Sequence, residues 1–441
     1  MNYSESLDYL FGLQRLGARF GTGVVTELLV RMGDPQGSYP SVLVAGTNGK
    51  GSTAAFLASI LRCAGLRTGL YTSPHLVRFE ERIAVDGGMI PPEEVARIAT
   101  LIQEQVEGMV ARGGEERRPS FFETATAMAL RHFQDRRVDM AVLEVGLGGR
   151  LDATSVADAV TCLFTPIDLD HQEFLGDDIR SIAREKAGIL KRGSRALTAP
   201  QAPEAMEALQ QAAASRGATL LEAEKFWRVV EGEKGTMTLV SCIEPGKRME
   251  NLILPLPGRH QRTNALLAAA AAARLPGIGE RISETAIRRG LAETRWPGRC
   301  EVAGERPTLL LDGAHNPASA RALRHFLLEN YTSTGKKVVM VFGAMQDKDL
   351  DGIMEILFPC AQRIILARAE TPRAADPIVL EALARRHHPS VVRAPGLSAA
   401  LSAARSEAGP DGVVCVTGSL YLVGDVKTLL EGGEPRSRQA L

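Results

Sequence analysis

The chain has 441 residues, 52 Lys+Arg against 52 Asp+Glu and 5% aromatics, and it exceeds the ~250–300 residues over which one hydrophobic core usually grows, which points to two domains. Balanced charge and scarce aromatics exclude a broad basic footprint or stacking platform for nucleic acid, and no apolar run approaches the ~18 residues of a membrane span. Six dispersed cysteines without a C-x-x-C pair exclude a disulfide framework or a cysteine zinc site.

The N-terminal "MNYSESLDYLFGLQ" lacks a basic region followed by an apolar stretch, so a cytoplasmic protein is expected. From there β-branched apolar runs alternate with helix-like segments, the pattern of a parallel α/β sheet covered on both faces. "SVLVA" (41–45) reads as a buried strand, "GTNGKG" as a turn, "STAAFLASILRCAG" as a helix ending at Gly65 and "TGLYT" (68–72) as the next strand, together a βαβ unit. "ARGGEERRP" (111–119) reads as a solvated loop, with helices over 122–134, 179–190 and 264–274. Further strands are "MAVLEVG" (140–146) and "VTCLFTPID" (160–168).

A second alternating series follows: "TLLLD" (308–312), a helix over 318–330, "KVVMVFG" (337–343), a helix near 350–358, "RIILARA" (363–369) and "VVCVTG" (413–418). "RWPGRC" (295–300) carries the Pro and Gly between the two series. The expected organisation is a large P-loop mononucleotide-binding domain with a parallel sheet over 1–296 and a smaller Rossmann-like α/β domain over 297–441. "EGGEPRSRQAL" reads as a frayed tail. No internal repeat is evident.

The turn "GTNGKGS", Gly46 to Ser52, carries the chemistry. Consecutive backbone N–H groups of a glycine turn at a helix N-terminus make a concave anion site, because no Cβ blocks approach and the helix dipole favours negative charge. Thr47, Asn48, Gly49, Lys50, Gly51 and Ser52 are thus candidates for holding phosphate, with Lys50 reaching the outer phosphates and the Ser52 hydroxyl placed for Mg²⁺. The turn departs from G-x-x-x-x-G-K-[ST]: Val44 stands at the first glycine position, and Gly51 separates Lys50 from Ser52. An ordinary strand-to-helix turn with a surface lysine is the competing reading, and the βαβ setting favours phosphate. Glu144 closes the run "MAVLE" at a strand's carboxyl end, where open α/β sheets place ligands and where a carboxylate suits Mg²⁺.

The variant turn resembles the P-loop of the Mur ligase superfamily, ATP-dependent enzymes that join a carboxylate to an amine. "TSPHLVRFEERI" (72–83), "FFETAT" (121–126), "LEVGLGGRLDAT" (143–154), "LDHQEFLG" (169–176), "EKAGI" (185–189), "LPLPGRHQRTNA" (254–265), "WPGR" (296–299), "LDGAHNP" (311–317) and "GSLYLVG" (418–424) extend the likeness across both domains. In that order they resemble the blocks of folylpolyglutamate synthase and its bacterial dihydrofolate synthase form.

The resemblance implies an ATP-dependent ligase that phosphorylates the carboxylate of dihydropteroate or a reduced folate and joins it to L-glutamate. It implies two Mg²⁺ ions, ligands Ser52, Ser73, Glu144 and His171, and a carbamylated Lys186 as a further ligand, with Lys50, His171 and Lys186 at the chemistry. Asp168 and Asp170 lie close in sequence as alternatives. Asn264, Arg299, Asp312 and His315 would contact ATP, while Phe122, Asp152 and Ala153, with the loop at 72–83, would hold the pterin. Ser419 is the candidate for glutamate, together with His315. It further implies a monomer. Taken singly, Lys186 reads as an exposed helix lysine, His171 as a structural hydrogen-bonder, Phe122 as core and Asn264 as an early-turn polar residue. A cell-wall Mur ligase would share the turn, the magnesium residues and the lysine, but needs a nucleotide-sugar domain ahead of the turn, for which 45 residues before Gly46 are too few. Addition of glutamate to folates alone is the narrower alternative, and a non-catalytic nucleotide switch would require loss of one of the chemical residues.

Overall fold

The computed structural model describes residues 1–17, 21–232 and 235–433; the last eight residues of the expected tail lie outside the described residues. The described residues divide into two compact units, one formed within 1–255 together with 261–295 and the other by 256–260 with 296–433.

The first unit runs α1 (Tyr3–Gly12), α2 (Gly23–Arg31), β1 (Ser41–Ala45), α3 (Lys50–Cys63), β2 (Thr68–Tyr71), β3 (Ile83–Val85), β4 (Gly88–Met89), α4 (Pro92–Gly113), α5 (Phe121–Asp135), β5 (Met140–Glu144) and β6 (Ala159–Phe164). It continues through α6 (Gln172–Leu175), α7 (Ile179–Lys186), β7 (Arg195–Thr198), α8 (Pro203–Ser215), β8 (Thr219–Glu222), β9 (Trp227–Glu231), β10 (Thr236–Ser241), β11 (Arg248–Ile253), α9 (Arg259–Ala272) and α10 (Glu284–Glu293). The main sheet has the order β4-β3-β2-β5-β1-β6-β7-β8. Strands from β2 to β8 in that order pair in parallel, and β3 and β4 add an antiparallel edge. Every residue of β1 and of β5 is buried, as continuous apolar strands sandwiched by helices must be. Leu43, Ile102, Phe133 and Phe164 belong to the core on this sheet. β9, β10 and β11 form a separate antiparallel meander.

The second unit runs β12 (Glu301–Glu305), β13 (Thr308–Leu311), α11 (Pro317–Asn330), β14 (Val338–Phe342), α12 (Leu350–Leu357), β15 (Arg363–Leu366), α13 (Pro377–His387), β16 (Val391–Arg393), α14 (Leu397–Ala408), β17 (Val413–Thr417) and α15 (Leu420–Leu430). Its sheet order is β12-β13-β17-β14-β15-β16, parallel except for the β12 edge. Leu310, Phe326, Phe342 and Phe358 belong to its own core. The mixed α/β class with parallel-rich sheets is the one expected.

Several boundaries differ from the sequence reading. Helix α3 begins at Lys50, two residues early, so Lys50 and Gly51 lie in its first turn. Strand β6 ends at Phe164, before the Pro166 that cannot donate to a ladder. Residues 111–113 close the helix α4 instead of opening a loop, and the chain leaves at Gly114 with φ +84°. Helix α9 starts at Arg259, which puts Asn264 in its second turn.

Candidate functional site

Val44 of β1 lies beside Glu144 of β5, and Ala45 beside Phe164 of β6, so three adjacent parallel strands open at one edge. The chain leaves β1 for β2 on one side of it and leaves β5 for β6 on the other. Ligands of open α/β sheets bind at such a reversal. The glycine turn sits there. Gly46 has φ +146°, and a Cβ on it would stand 1.9 Å from Thr165 Oγ1; Gly49 has φ +88°, and a Cβ on it would stand 2.3 Å from Asn264 Oδ1. Both positions therefore demand glycine.

The turn is tied down on its far side. Thr47 and Asn48 donate their backbone N–H groups to the Pro166 carbonyl at 3.0 and 3.3 Å. Thr47 Oγ1 donates to the Asp168 carbonyl at 2.9 Å and accepts from Asp168 N–H at 3.1 Å. These two N–H groups are thus spent on the β6 loop, and the anion-facing donors shift to the first turn of α3, which no side chain caps at Gly49. Lys50 Nζ curls back to the carbonyls of Gly46 and Thr47 at 3.1 and 3.0 Å. Ser52 is buried one residue beyond Gly51.

Lys186, at the end of α7, reaches the same place. It is 4% exposed and donates to the Gly46 carbonyl at 2.8 Å, so two lysines converge on one oxygen. Burial, reinforced by the Lys50 charge and opposed by Asp170 and Asp152, lowers its pKa to about 7. The exposed-helix reading of Lys186 is overturned. Glu144 is buried and its carboxylate accepts the backbone N–H of Ser73 at 3.1 Å. His171 sits in the left-handed region at φ 52°, donates its N–H to Asp170 Oδ1 at 2.9 Å, and holds Nε2 3.9 Å from Asp170 Oδ2. Asn264 is buried, packs on Gly49 and donates to Gln261 Oε1 at 2.9 Å.

The oxygen donors are the kind a hard divalent cation takes: a buried carboxylate at the end of β5 and a buried hydroxyl in the first turn of α3, on neighbouring segments. The set thus fits Mg²⁺. Among the described residues no group of three or more His, Cys, Asp or Glu could hold a metal ion.

Phe122 is half-buried at the start of α5, its ring 6.1 Å from Tyr71 and against Gly146, where a Cβ would come within 2.5 Å of Cζ. Ala153 is buried. Asp152 is held by its own loop: Oδ2 accepts Gly146 and Leu147 N–H at 3.1 and 2.9 Å, and Oδ1 accepts Thr154 N–H and hydroxyl at 3.0 and 2.6 Å. Burial raises its pKa despite those bonds.

The second unit gathers the remaining candidates around β13. Asp312 accepts Cys300 N–H at 2.8 Å and Ala314 N–H at 2.9 Å. Arg299 donates to the Gly298 carbonyl at 3.0 Å, and its guanidinium would be 2.9 Å from a Cβ on Gly313. His315 Nδ1 is 2.8 Å from the Gly313 carbonyl, which assigns the proton to Nδ1. Ser419 caps α15, accepting Leu422 N–H at 3.1 Å.

Some site-building residues carry no motif signal by themselves. Thr165 and Pro166 shape the turn through one hydroxyl and one carbonyl, which no pattern of residue types reveals. His75 and Arg82 lie within the "TSPHLVRFEERI" block, and their seven-residue spacing across a loop was the available sign.

A glycine turn between a buried parallel strand and a helix, a lysine folded onto that turn and a carboxylate on the adjoining strand define a P-loop nucleotide-binding α/β protein with a second α/β unit. The Mur ligase middle domain matches residues 93–272, and the Mur ligase glutamate ligase domain matches residues 298–420. The chain belongs to the folylpolyglutamate synthase/dihydrofolate synthase family of Mur ligases. It is 33% identical over 433 residues to the dihydrofolate synthase/folylpolyglutamate synthase of Bacillus subtilis, covering 97% of this chain and 99% of that one. It is 38% identical over 434 residues to a probable bifunctional folylpolyglutamate synthase/dihydropteroate synthase of Halobacterium salinarum, covering 97% of this chain but 52% of that protein, and so spans about half its length. Folylpolyglutamate synthase of Mycobacterium tuberculosis complexed with ADP superposes with a TM-score of 0.88 at 33% identity, over 99% of this chain and 100% of that one. E. coli FolC in complex with DHPP and ADP gives 0.86 at 33% identity, over 98% of each chain. No helix among the described residues is long and apolar enough to cross a membrane.

Proposed function

We propose that this protein is an ATP- and Mg²⁺-dependent carboxylate–amine ligase that adds L-glutamate both to dihydropteroate and to reduced folates. The observation that carries this reading is the convergence of Lys50 and buried Lys186 on the Gly46 carbonyl, beside Glu144, at the carboxyl edge of a P-loop sheet. An amide does not form from a carboxylate and an amine in water because oxide is a very poor leaving group. The substrate carboxylate oxygen therefore attacks the γ-phosphorus of ATP, ADP departs, and the acyl phosphate is attacked by the glutamate amine with loss of phosphate. Such transfers depend on positioning and charge neutralisation more than on covalent help.

In this reading Lys50 and the first turn of α3 hold the phosphates, with Asn264 backing the turn and Arg299, Asp312 and His315 completing the nucleotide contacts. Ser52, Ser73, Glu144 and His171 would hold Mg²⁺, which would supply charge neutralisation on the transferring phosphoryl group. Phe122 offers a ring face to the pterin, Ala153 borders it and Asp152 fixes the loop around it. Ser419 and His315 face glutamate. An ammonium repels a metal and offers no lone pair, so Lys186 serves as a ligand only after its neutral amine adds to CO₂, forming an N–C bond and releasing a proton to leave a carbamate. Its burial and lowered pKa favour that amine. The working protein is a cytoplasmic monomer.

The test is ADP release with ATP, Mg²⁺ and L-glutamate, given either dihydropteroate or tetrahydrofolate. Turnover with both is expected. Turnover with tetrahydrofolate alone removes the synthase half of the proposal, and ADP release independent of both acceptors removes the ligase reading.

A further inference from the structure

Among the described residues Arg82 is the largest fully buried side chain, at 1% exposure. A guanidinium removed from water costs several kcal/mol unless its donors and charge are satisfied in place, so such a residue is tied to a defined surrounding. Its Nε donates to His75 Nδ1 at 2.8 Å, and the guanidinium carbon lies 5.0 Å from the centre of the Phe121 ring. Its carbonyl accepts Thr72 N–H at 3.0 Å. Arg82 thus binds both ends of the segment 72–82 to each other and to the start of α5, where Phe122 follows Phe121. His75, 6% exposed, is further enclosed by the rings of Phe11 and Phe79, with centroids at 6.2 and 6.5 Å.

The middle of the segment is fastened separately. The Glu81 carboxylate accepts the N–H groups of Leu76, Val77 and Arg78 at 2.6, 2.9 and 2.7 Å. The segment is therefore a preformed loop, and its exit from β2 carries Ser73, whose N–H sets the Glu144 carboxylate at 3.1 Å. His75 stands two residues from that contact. The Arg82 charge, Asp152 and Glu144 all act on the buried Tyr71 phenol, which burial drives up to about 12. One interior neighbourhood therefore contains the cation, the loop and the carboxylate.

We propose that Arg82 is a positioning residue for the reaction: through His75 it fixes the Ser73 turn, and through that turn the orientation of Glu144. This rests on the ligase reading and adds to it a buried residue that acts through others. The arrangement needs a planar donor directed at His75 Nδ1, so a charge alone does not replace it.

The experiment compares wild type, Arg82→Met, Arg82→Lys, His75→Ala and the Arg82→Met/His75→Ala double variant. It measures turnover against Mg²⁺ concentration and, by calorimetry, ADP binding with and without Mg²⁺. Expected are an at least tenfold rise in the Mg²⁺ concentration for half-maximal turnover in Arg82→Met, Arg82→Lys and His75→Ala, and a double variant no worse than the worse single one. The Mg²⁺-dependent gain in ADP affinity shrinks, while metal-free ADP binding, set by the glycine turn and Lys50, is unchanged. A folded Arg82→Met protein with wild-type Mg²⁺ dependence overturns the proposal, as do additive effects in the double variant. If Arg82→Met fails to fold, His75→Ala decides by the same criteria. If wild type binds ADP with Mg²⁺ but shows no ligase turnover, the ligase reading fails, and the calorimetric comparison still decides the role of Arg82.

Discussion

At the scale of single residues, the two lysines on Gly46 differ in what their removal should do. Lys50 lies in the first turn of α3 with its ammonium on two backbone carbonyls, away from the apolar core. Lys50→Ala should lower kcat by ~10²–10³, the scale seen when one preorganised electrostatic group is removed, with the melting temperature little changed. Steady-state kinetics beside a thermal melt checks both halves, and near-normal kcat refutes the phosphate role. Lys186 is buried, and its neutral form falls about tenfold per pH unit below its pKa of about 7. Activity should then fall between pH 8 and 6 and respond to added bicarbonate. Lys186→Ala should lose most activity and recover part of it with acetate, whose carboxylate replaces the one lost. Full activity in the alanine variant, or mass spectrometry and high-resolution density showing an unmodified amine in an active metal-loaded enzyme, ends the carbamate idea.

At the scale of elements, α5 joins site and core: Phe122 stands at its start, while His132 near its end is 2% exposed with Glu94 3.9 Å away. Burial depresses the His132 pKa to about 4. Between the ordinary value near ~6.5 and about 4 the unfolded chain takes up a proton that the folded protein refuses, so this contribution to stability is lost as pH falls through that window. The loss is on the order of 3 kcal/mol at its limit. His132→Gln should flatten the acid limb of denaturant-derived stability from pH 6.5 to 4, and an unchanged slope contradicts the assignment. The elements also show what was legible beforehand. Continuous apolar strands announced themselves: β1 matches residue for residue, and β5, β13, β14 and β17 end within one or two residues of the sequence reading. The glycine turn, Lys50, Ser52 and Glu144 were legible because a strand end and a helix start bracket them. The β9–β11 meander passed unread because its strands interleave charged residues such as Arg228, Arg248 and Glu250 with apolar ones, a pattern an exposed edge shares with a loop. The burial of Lys186 is a tertiary fact: local sequence gives α7 a polar face and does not say that this face meets Gly46.

At the scale of the whole molecule, two sheets each gather their own apolar core, and the chain passes between the units at 255–256, 260–261 and 295–296. Units with separate cores can unfold separately, which breaks the all-or-none behaviour of a single small domain. Two glycines provide a marker for each. Gly290 lets α10 lie on α3, where a Cβ would stand 2.4 Å from the Ile60 Cα, backbone that cannot swing aside. Gly343, after β14, would bring a Cβ within 2.4 Å of the Ala367 carbonyl. Either alanine overpacks a closed contact and should cost about 1–3 kcal/mol. Scanning calorimetry of the wild type should resolve two transitions. Gly290→Ala should lower only one of them, the transition of the unit that carries α3. Gly343→Ala should lower only the other. A single transition displaced equally by both substitutions would mean that the two cores melt as one cooperative unit.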